Sequence, residues 1–126
     1  MIVIDTSVLV DALTGLKRSG LAIRSALDEA EPVLLPALVL YEWLRGPRIA
    51  EELALQESLF PSGSVIPFDK EQAIVSADLY RSVRRARTRE VDLAIAACAL
   101  VHEARLWTLN PADFRDVPGI RLYRPR

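Results

Sequence analysis

The amino-acid order predicts an α/β fold: a three-layer α/β/α sandwich around a short, mainly parallel sheet of four or five strands. Three observations carry this. The chain opens on Ile2, Val3 and Ile4, a β-branched apolar run that stops at the carboxylate of Asp5, as a strand buried on both faces does. Short apolar runs then alternate with longer stretches of helical periodicity, the order that builds parallel sheets with crossover helices. Finally, 126 residues without a composition shift, repeat or linker suit a single domain, 1–126, with one core.

In order, Met1 to Asp5 reads as the first strand and Ser7 to about Thr14 as a short helix. Gly15 to Ser19 reads as a turn. Leu21, Ala22, Ile23, Ala26, Leu27 and Ala30 then form one helical face, with Ser19 as its cap. Pro32 and Pro36 bracket Val33 to Leu35 as a buried strand. A helix from Ala37 to Arg45 is stopped by Gly46-Pro47, and another covers Ile49 to Phe60. After the turn Pro61-Ser62-Gly63, Ser64 to Phe68 is a third strand. Asp69, with Gln72 three residues on, opens a long helix to about Arg87. Val91 to His102 is a mostly apolar helix, and Arg105 to Leu109 a strand. Asn110-Pro111 caps a short helical turn, and Ile120 to Tyr123 is the last strand.

Composition narrows the class. With 51% hydrophobic and 26% charged residues, the chain is an ordered globular protein. No apolar run approaches the roughly 18–20 residues of a membrane span, and Asp5 interrupts the only N-terminal candidate for a signal, so the expected compartment is the cytoplasm. Cys98 is alone, which excludes a disulfide framework and a cysteine zinc site; it reads as a small buried hydrophobe. A net charge of −1 does not mark a nucleic-acid binder, but its distribution is uneven. Arg81, Arg84, Arg85, Arg87 and Arg89 crowd one stretch, and Arg115, Arg121, Arg124 and Arg126 the C-terminus. Such patches supply phosphate contacts even when the total charge is balanced, or serve as solvated faces.

Four acids stand where strand ends meet helix starts. Each has a structural role available: Asp5 as a helix cap, Glu42 as a partner of Arg45 or Arg48, Asp92 as a complement to a helix dipole, and Asp113 at the third position of a capped turn. Jointly they say more. Asp5 and Asp113 follow strand C-termini, Glu42 lies on the helix after the second strand, and Asp92 at a helix start, so one sheet edge collects all four. Ligands bind at that edge in open α/β folds. Clustered carboxylates repel unless a cation neutralises them, and three or four of them suit Mg²⁺ or Mn²⁺. Such a site activates water and stabilises charge on a phosphoryl oxygen. Thr6, Ser7 and Asn110 are placed to orient the carboxylates. His102 reads as a dipole partner at a helix C-terminus, and Trp43 and Trp107 as core or interface residues rather than base-stacking platforms.

The stretch Val3-Ile4-Asp5-Thr6-Ser7-Val8-Leu9 resembles the opening of PIN-domain ribonucleases, particularly the VapC-like toxins of toxin–antitoxin pairs. The resemblance continues in order through Pro36 and Glu42, Asp92-Leu93-Ala94-Ile95-Ala96-Ala97, Thr108-Leu109-Asn110-Pro111-Ala112-Asp113-Phe114, and Pro118-Gly119-Ile120. It implies a parallel sheet, a homodimer, divalent-metal-dependent cleavage of RNA, and a small antitoxin that blocks the site. By position, Asp5, Glu42, Asp92 and Asp113 would form its acidic quartet. The segment Arg87-Thr88-Arg89-Glu90-Val91 is short and lacks the glycine family members often carry, which leaves Glu90 as an alternative to Asp92; Asp116 is an alternative to Asp113. Two other functions remain open: a metal-dependent phosphatase on a small ester, and a binding module for RNA or protein that does not cut. No Gly-x-Gly-x-x-Gly follows the first strand, which argues against a dinucleotide-binding domain.

Overall fold

Ile2, Val3 and Ile4 have no solvent exposure, so both faces of the strand they form are covered, as a parallel sheet requires. The computed structural model describes residues 1–14 and 18–125. Its regular elements are β1 (Ile2–Ile4), α1 (Thr6–Leu13), α2 (Arg18–Asp28), β2 (Val33–Leu34), α3 (Ala37–Arg45), α4 (Ala50–Leu59), α5 (Lys70–Ser82), α6 (Glu90–Val101) and β3 (Arg105–Trp107). The sheet has the order β2-β1-β3 and is parallel throughout. Ile2 sits opposite both Val33 and Arg105, and Ile4 opposite Trp107.

Four or five strands were expected, and three are regular. The other two segments are present as single parallel bridges, one at each edge. Ile66 pairs with Pro36, and Leu122 with Leu106. The Ile66 N–H donates to the Leu35 carbonyl at 2.9 Å, and the Tyr123 N–H to the Leu106 carbonyl at 2.8 Å. Pro36 has no N–H to extend the first ladder, and Pro118-Gly119, with Gly119 at φ 78, delivers the C-terminal segment to its edge by a turn.

The helices fall into two groups. α1 packs on α2 and α4, while α6 packs on α5 and against β1 and β3; α3 touches both α1 and α6. α6 is buried at every position from Leu93 to Ala99, which explains why it is apolar all round rather than along one stripe. Trp43 and Trp107 are both in the core. The Arg48 guanidinium lies 4.0 Å from the Trp43 ring centroid, and Trp107 packs on Tyr123.

Three local expectations are corrected. The turn expected at Gly15 to Ser19 falls partly on residues 15–17, outside the described residues, but Ser19 does not cap α2. It lies within the first turn, where its backbone N–H donates to Asp11 Oδ2 at 2.8 Å, so a carboxylate from α1 satisfies one of the free N-terminal donors. α5 stops at Ser82 rather than near Arg87. Continuing it would stack Arg81, Arg84, Arg85 and Arg87 at spacings of three and four, where like charges repel. Instead Arg85 turns left-handed at φ 53, and a 3₁₀ turn over Ala86–Thr88 leads into α6. The short turn at Pro111–Asp113 is also 3₁₀, and Asn110 closes it with its backbone carbonyl, not its side chain.

Candidate metal centre

The C-terminal end of β1 organises the site. The Asp5 N–H continues the ladder to the Trp107 carbonyl at 3.0 Å, and the side chain then turns to cap α1. Its Oδ1 accepts from the Val8 N–H at 3.2 Å and from Ser7 Oγ at 2.6 Å. Ser7 Oγ in turn accepts from the Leu109 N–H at 3.0 Å, tying the loop after β3 to the start of α1. Asp5 is 5% exposed. Burial pushes its carboxyl above the ordinary aspartate range, while hydrogen bonds from the Ser7 and Thr108 hydroxyls and the Val8 N–H oppose that shift.

Glu42 approaches from α3. Thr6 Oγ1 donates to its Oε1 at 2.5 Å, and Arg45 Nη2 to its Oε2 at 3.2 Å. The ordinary surface pairing with Arg45 therefore exists, but so does a tie to the residue next to Asp5. Asp92, half-buried in the first turn of α6, makes the convergence explicit. Its carboxyl is raised first by burial, then by the negative charges of Asp5, Glu42 and Asp113 together. All four acids thus share one electrostatic neighbourhood at the carboxyl edge of the sheet. Glu42 and Asp92 open onto a cleft also lined by Arg87, Thr88, Arg89, Glu90 and Val91.

The two alternative acids are placed differently. Glu90 is exposed and lines the same cleft as Glu42 and Asp92. Asp116 is committed to Arg89, whose Nη1 and Nη2 donate to its two oxygens at 2.8 and 2.7 Å; this partner holds its carboxyl below the ordinary range. Asn110 is exposed, and its N–H donates to Thr108 Oγ1 at 3.0 Å. Thr6 and Ser7 thus hydrogen-bond to Glu42 and Asp5, Thr108 supplies a further hydroxyl to Asp5, and Asn110 is tied to Thr108 through its backbone N–H. Thr108 follows directly on β3 as Thr6 and Ser7 follow on β1, and that hydroxyl at a strand end was its signal in the sequence.

The arginine cluster divides. Arg84, Arg85 and Arg87 are exposed in the segment after α5, and Arg81 pairs with Asp78. Arg89 is only 17% exposed and fully engaged. At the C-terminus Arg121 donates to the Glu103 carbonyl at 2.8 Å, and Arg126 lies outside the described residues. His102 is the C-cap residue of α6 through its backbone N–H, which donates to the Cys98 carbonyl at 3.1 Å, whereas its imidazole Nε2 is buried with no hydrogen-bond partner among the described residues. Cys98 is buried with its thiol pushed up to about 12.

Among the described residues, no group of three or more acidic, histidine or cysteine side chains stands close enough together to hold a metal ion. The acids are neighbours rather than a preformed cage, as like charges around an open cleft are. The donor chemistry still fits a hard cation: every candidate ligand is a carboxylate oxygen, with no imidazole or thiolate among them. Mg²⁺ in particular keeps several waters and needs only one or two direct carboxylates.

A small parallel sheet flanked by helices, with carboxylates near the C-terminal ends of its strands, defines the class of protein: an α/β domain of the PIN type. The chain belongs to the PIN-domain family, whose model matches residues 2–120. It is 30% identical over 123 residues to Ribonuclease VapC19 of Mycobacterium tuberculosis, covering 96% of this chain and 98% of that protein. Among solved structures it is similar to DNA-bound VapBC from Salmonella typhimurium, with a TM-score of 0.77 at 22% identity over 97% of this chain and 96% of that one. FitAcB from Neisseria gonorrhoeae gives 0.71 at 24% identity over 99% and 98% of the two chains. At these identities the structural matches speak to the fold alone.

Proposed function

We propose that this protein is a divalent-metal-dependent endoribonuclease, the toxin of a toxin–antitoxin pair, with Asp5, Glu42, Asp92 and Asp113 as its acidic centre. The observation that supports it is the raised Asp92 carboxyl, which feels the other three acids at once, in a PIN-family chain that matches a ribonuclease along nearly its whole length. Mg²⁺ or Mn²⁺ would be held by these carboxylates, and when bound supplies Lewis-acid stabilisation of phosphoryl charge and activation of water.

The remaining work falls to the chain. Ser7 and Thr108 fix the Asp5 carboxylate on the end of β1, and Thr6 with Arg45 holds Glu42 across from it. Arg87, which lines the cleft, and the exposed Arg84 and Arg85 of the same segment would meet the RNA backbone, which four acids alone would repel. The cytoplasm, a homodimer and a small antitoxin that covers the centre complete the reading; one further structure of similar fold, with a TM-score of 0.71 at 24% identity, is by name a toxin–antitoxin complex, from Klebsiella pneumoniae.

The test compares wild type with Asp5→Asn on a mixed cellular RNA pool, with Mg²⁺ or Mn²⁺ and then with EDTA. Asparagine still caps α1, so the variant separates fold from chemistry. Metal-dependent fragments with wild type alone are expected. Full cleavage by Asp5→Asn would remove Asp5 from the centre. Turnover of a small phosphate ester with no RNA cut would point to a phosphatase.

A further inference from the structure

Arg89 lies in the basic stretch but does not behave as a surface cation. Its guanidinium donates four hydrogen bonds to three separate places. Nη1 reaches the Arg84 carbonyl at 2.9 Å and Asp116 Oδ2 at 2.8 Å; Nη2 reaches the Asp113 carbonyl at 2.6 Å and Asp116 Oδ1 at 2.7 Å. Arg89 is itself the N-cap residue of α6, and its carbonyl accepts the first helical bond, from the Leu93 N–H at 2.9 Å. One side chain therefore stitches together the end of the α5 segment, the start of the helix that carries Asp92, and the loop that carries Asp113.

Asp113 sits in a three-residue 3₁₀ turn and is exposed; the buried Phe114 and Val117 seat the loop on the core, and Arg89 adds a direct polar tie from the start of α6 to the Asp113 carbonyl. The fork geometry of arginine, with bidentate grip on Asp116 and a further bond to the backbone of Asp113 itself, is suited to this in a way a lysine is not.

We propose that Arg89, acting through Asp116 and the Asp113 carbonyl, is a positioning residue that holds Asp113 against Asp92 so that the two carboxylates serve one divalent cation. The proposal rests on the reading of the acidic centre given above. It removes Arg89 from the set of arginines available to RNA and leaves that role to Arg84, Arg85 and Arg87.

Charge and position predict opposite signs for the same substitution, which makes the proposal testable without measuring cleavage. Arg89→Ala deletes a positive charge that Asp92 and Asp113 both feel. If that charge were all that mattered, a cation would bind more tightly. If Arg89 positions Asp113, a cation binds more weakly, by about 10-fold or more, the usual effect of removing a group that orients a metal ligand.

The experiment is Mn²⁺ titration of the full chain, read by calorimetry and by the loss of free Mn²⁺ signal in electron paramagnetic resonance. Arg89→Ala is expected to weaken binding, and Arg89→Lys, which keeps the charge but cannot span the acceptors, is expected to weaken it as well. The lysine variant carries the test should the alanine variant fail to fold. Asp116→Ala added to Arg89→Ala should cause little further loss, since both remove the same clamp. Glu31→Gln, which breaks an ion pair with Arg105 and the N-terminus at the opposite sheet edge, is the control for loss of an ion pair away from the acids: it should leave Mn²⁺ affinity unchanged. Tighter or unchanged Mn²⁺ binding by Arg89→Ala, or full affinity in Arg89→Lys, would overturn the clamp while leaving the acidic centre intact. Absence of Mn²⁺ binding by wild type would overturn both.

Discussion

Asp92 shows how one residue holds function and instability together. It sits in the first turn of α6, where an acid complements the helix dipole, and that local role was readable from the chain. Its raised carboxyl has another origin, burial and the charges of Asp5, Glu42 and Asp113, which come from three other segments. Without a cation the ionised group is held at a net cost. Asp92→Asn is therefore expected to raise the melting temperature in EDTA by a few degrees, the shift that about 1 kcal/mol produces in a domain of this size, while removing divalent-cation binding. Calorimetry with and without Mn²⁺ checks both halves, and a lower melting temperature in EDTA would assign Asp92 a structural role. Such opposition between stability and activity is common at functional sites.

At the scale of elements, α6 carries the longest unbroken run of buried residues among the described helices, Leu93 to Ala99. Ala96, Ala97 and Ala99 are fully buried, and small side chains there let the helix lie close to β1, β3, α3 and α5. An added side chain has no free volume to enter, so Ala96→Leu should destabilise by about 1–3 kcal/mol, read from chemical denaturation; an unchanged midpoint would mean the packing around α6 is looser than its burial indicates. The helix was legible because its apolar run is long. The end of α5 was not: Arg81 to Arg87 carries strong helix formers, and only the left-handed turn at Arg85, imposed by the need to enter α6, breaks the pattern. The two edge strands were legible as apolar segments, but a single bridge and a ladder look alike in one dimension.

Over the whole molecule, two sets of carboxyls pull stability in opposite directions with pH. Asp5 and Asp92 are raised in the folded state, so the native protein takes up their protons before the unfolded chain does. In EDTA, stability therefore rises as pH falls from neutrality through their folded values toward the ordinary aspartate value of about 4. Glu31 and Asp116 are lowered by their ion pairs; what they contribute is present above the ordinary carboxylate value and lost as pH drops below it. Both are well exposed, so their contribution is small. The expected profile is a shallow maximum near pH 4, followed by loss. Mn²⁺ affinity should run the other way over the upper part of this range, falling with pH as protons compete for the same oxygens. Urea denaturation in EDTA and Mn²⁺ titration across one pH series test this, and a metal-free stability that declines steadily from neutrality would contradict it.

The sequence by itself determined the fold class, the three regular strands, the burial of Trp43, Trp107 and Cys98, and the four acids as candidates. These are properties of local pattern: a β-branched run ended by a carboxylate, an apolar stretch of helical length, and hydroxyls and acids where strands stop. Only the tertiary structure decided what each acid touches. It set Glu42 on Thr6, tied Ser7 to the loop after β3, brought Thr108 to Asp5, and committed Asp116 to Arg89. These contacts join residues 27 to 103 positions apart, or depend on the direction of one side chain, and neither is encoded in the spacing of neighbours. Charge in particular acts through space, so a carboxylate that is an ordinary cap in sequence becomes part of a cation site only when the sheet brings its counterparts to the same edge.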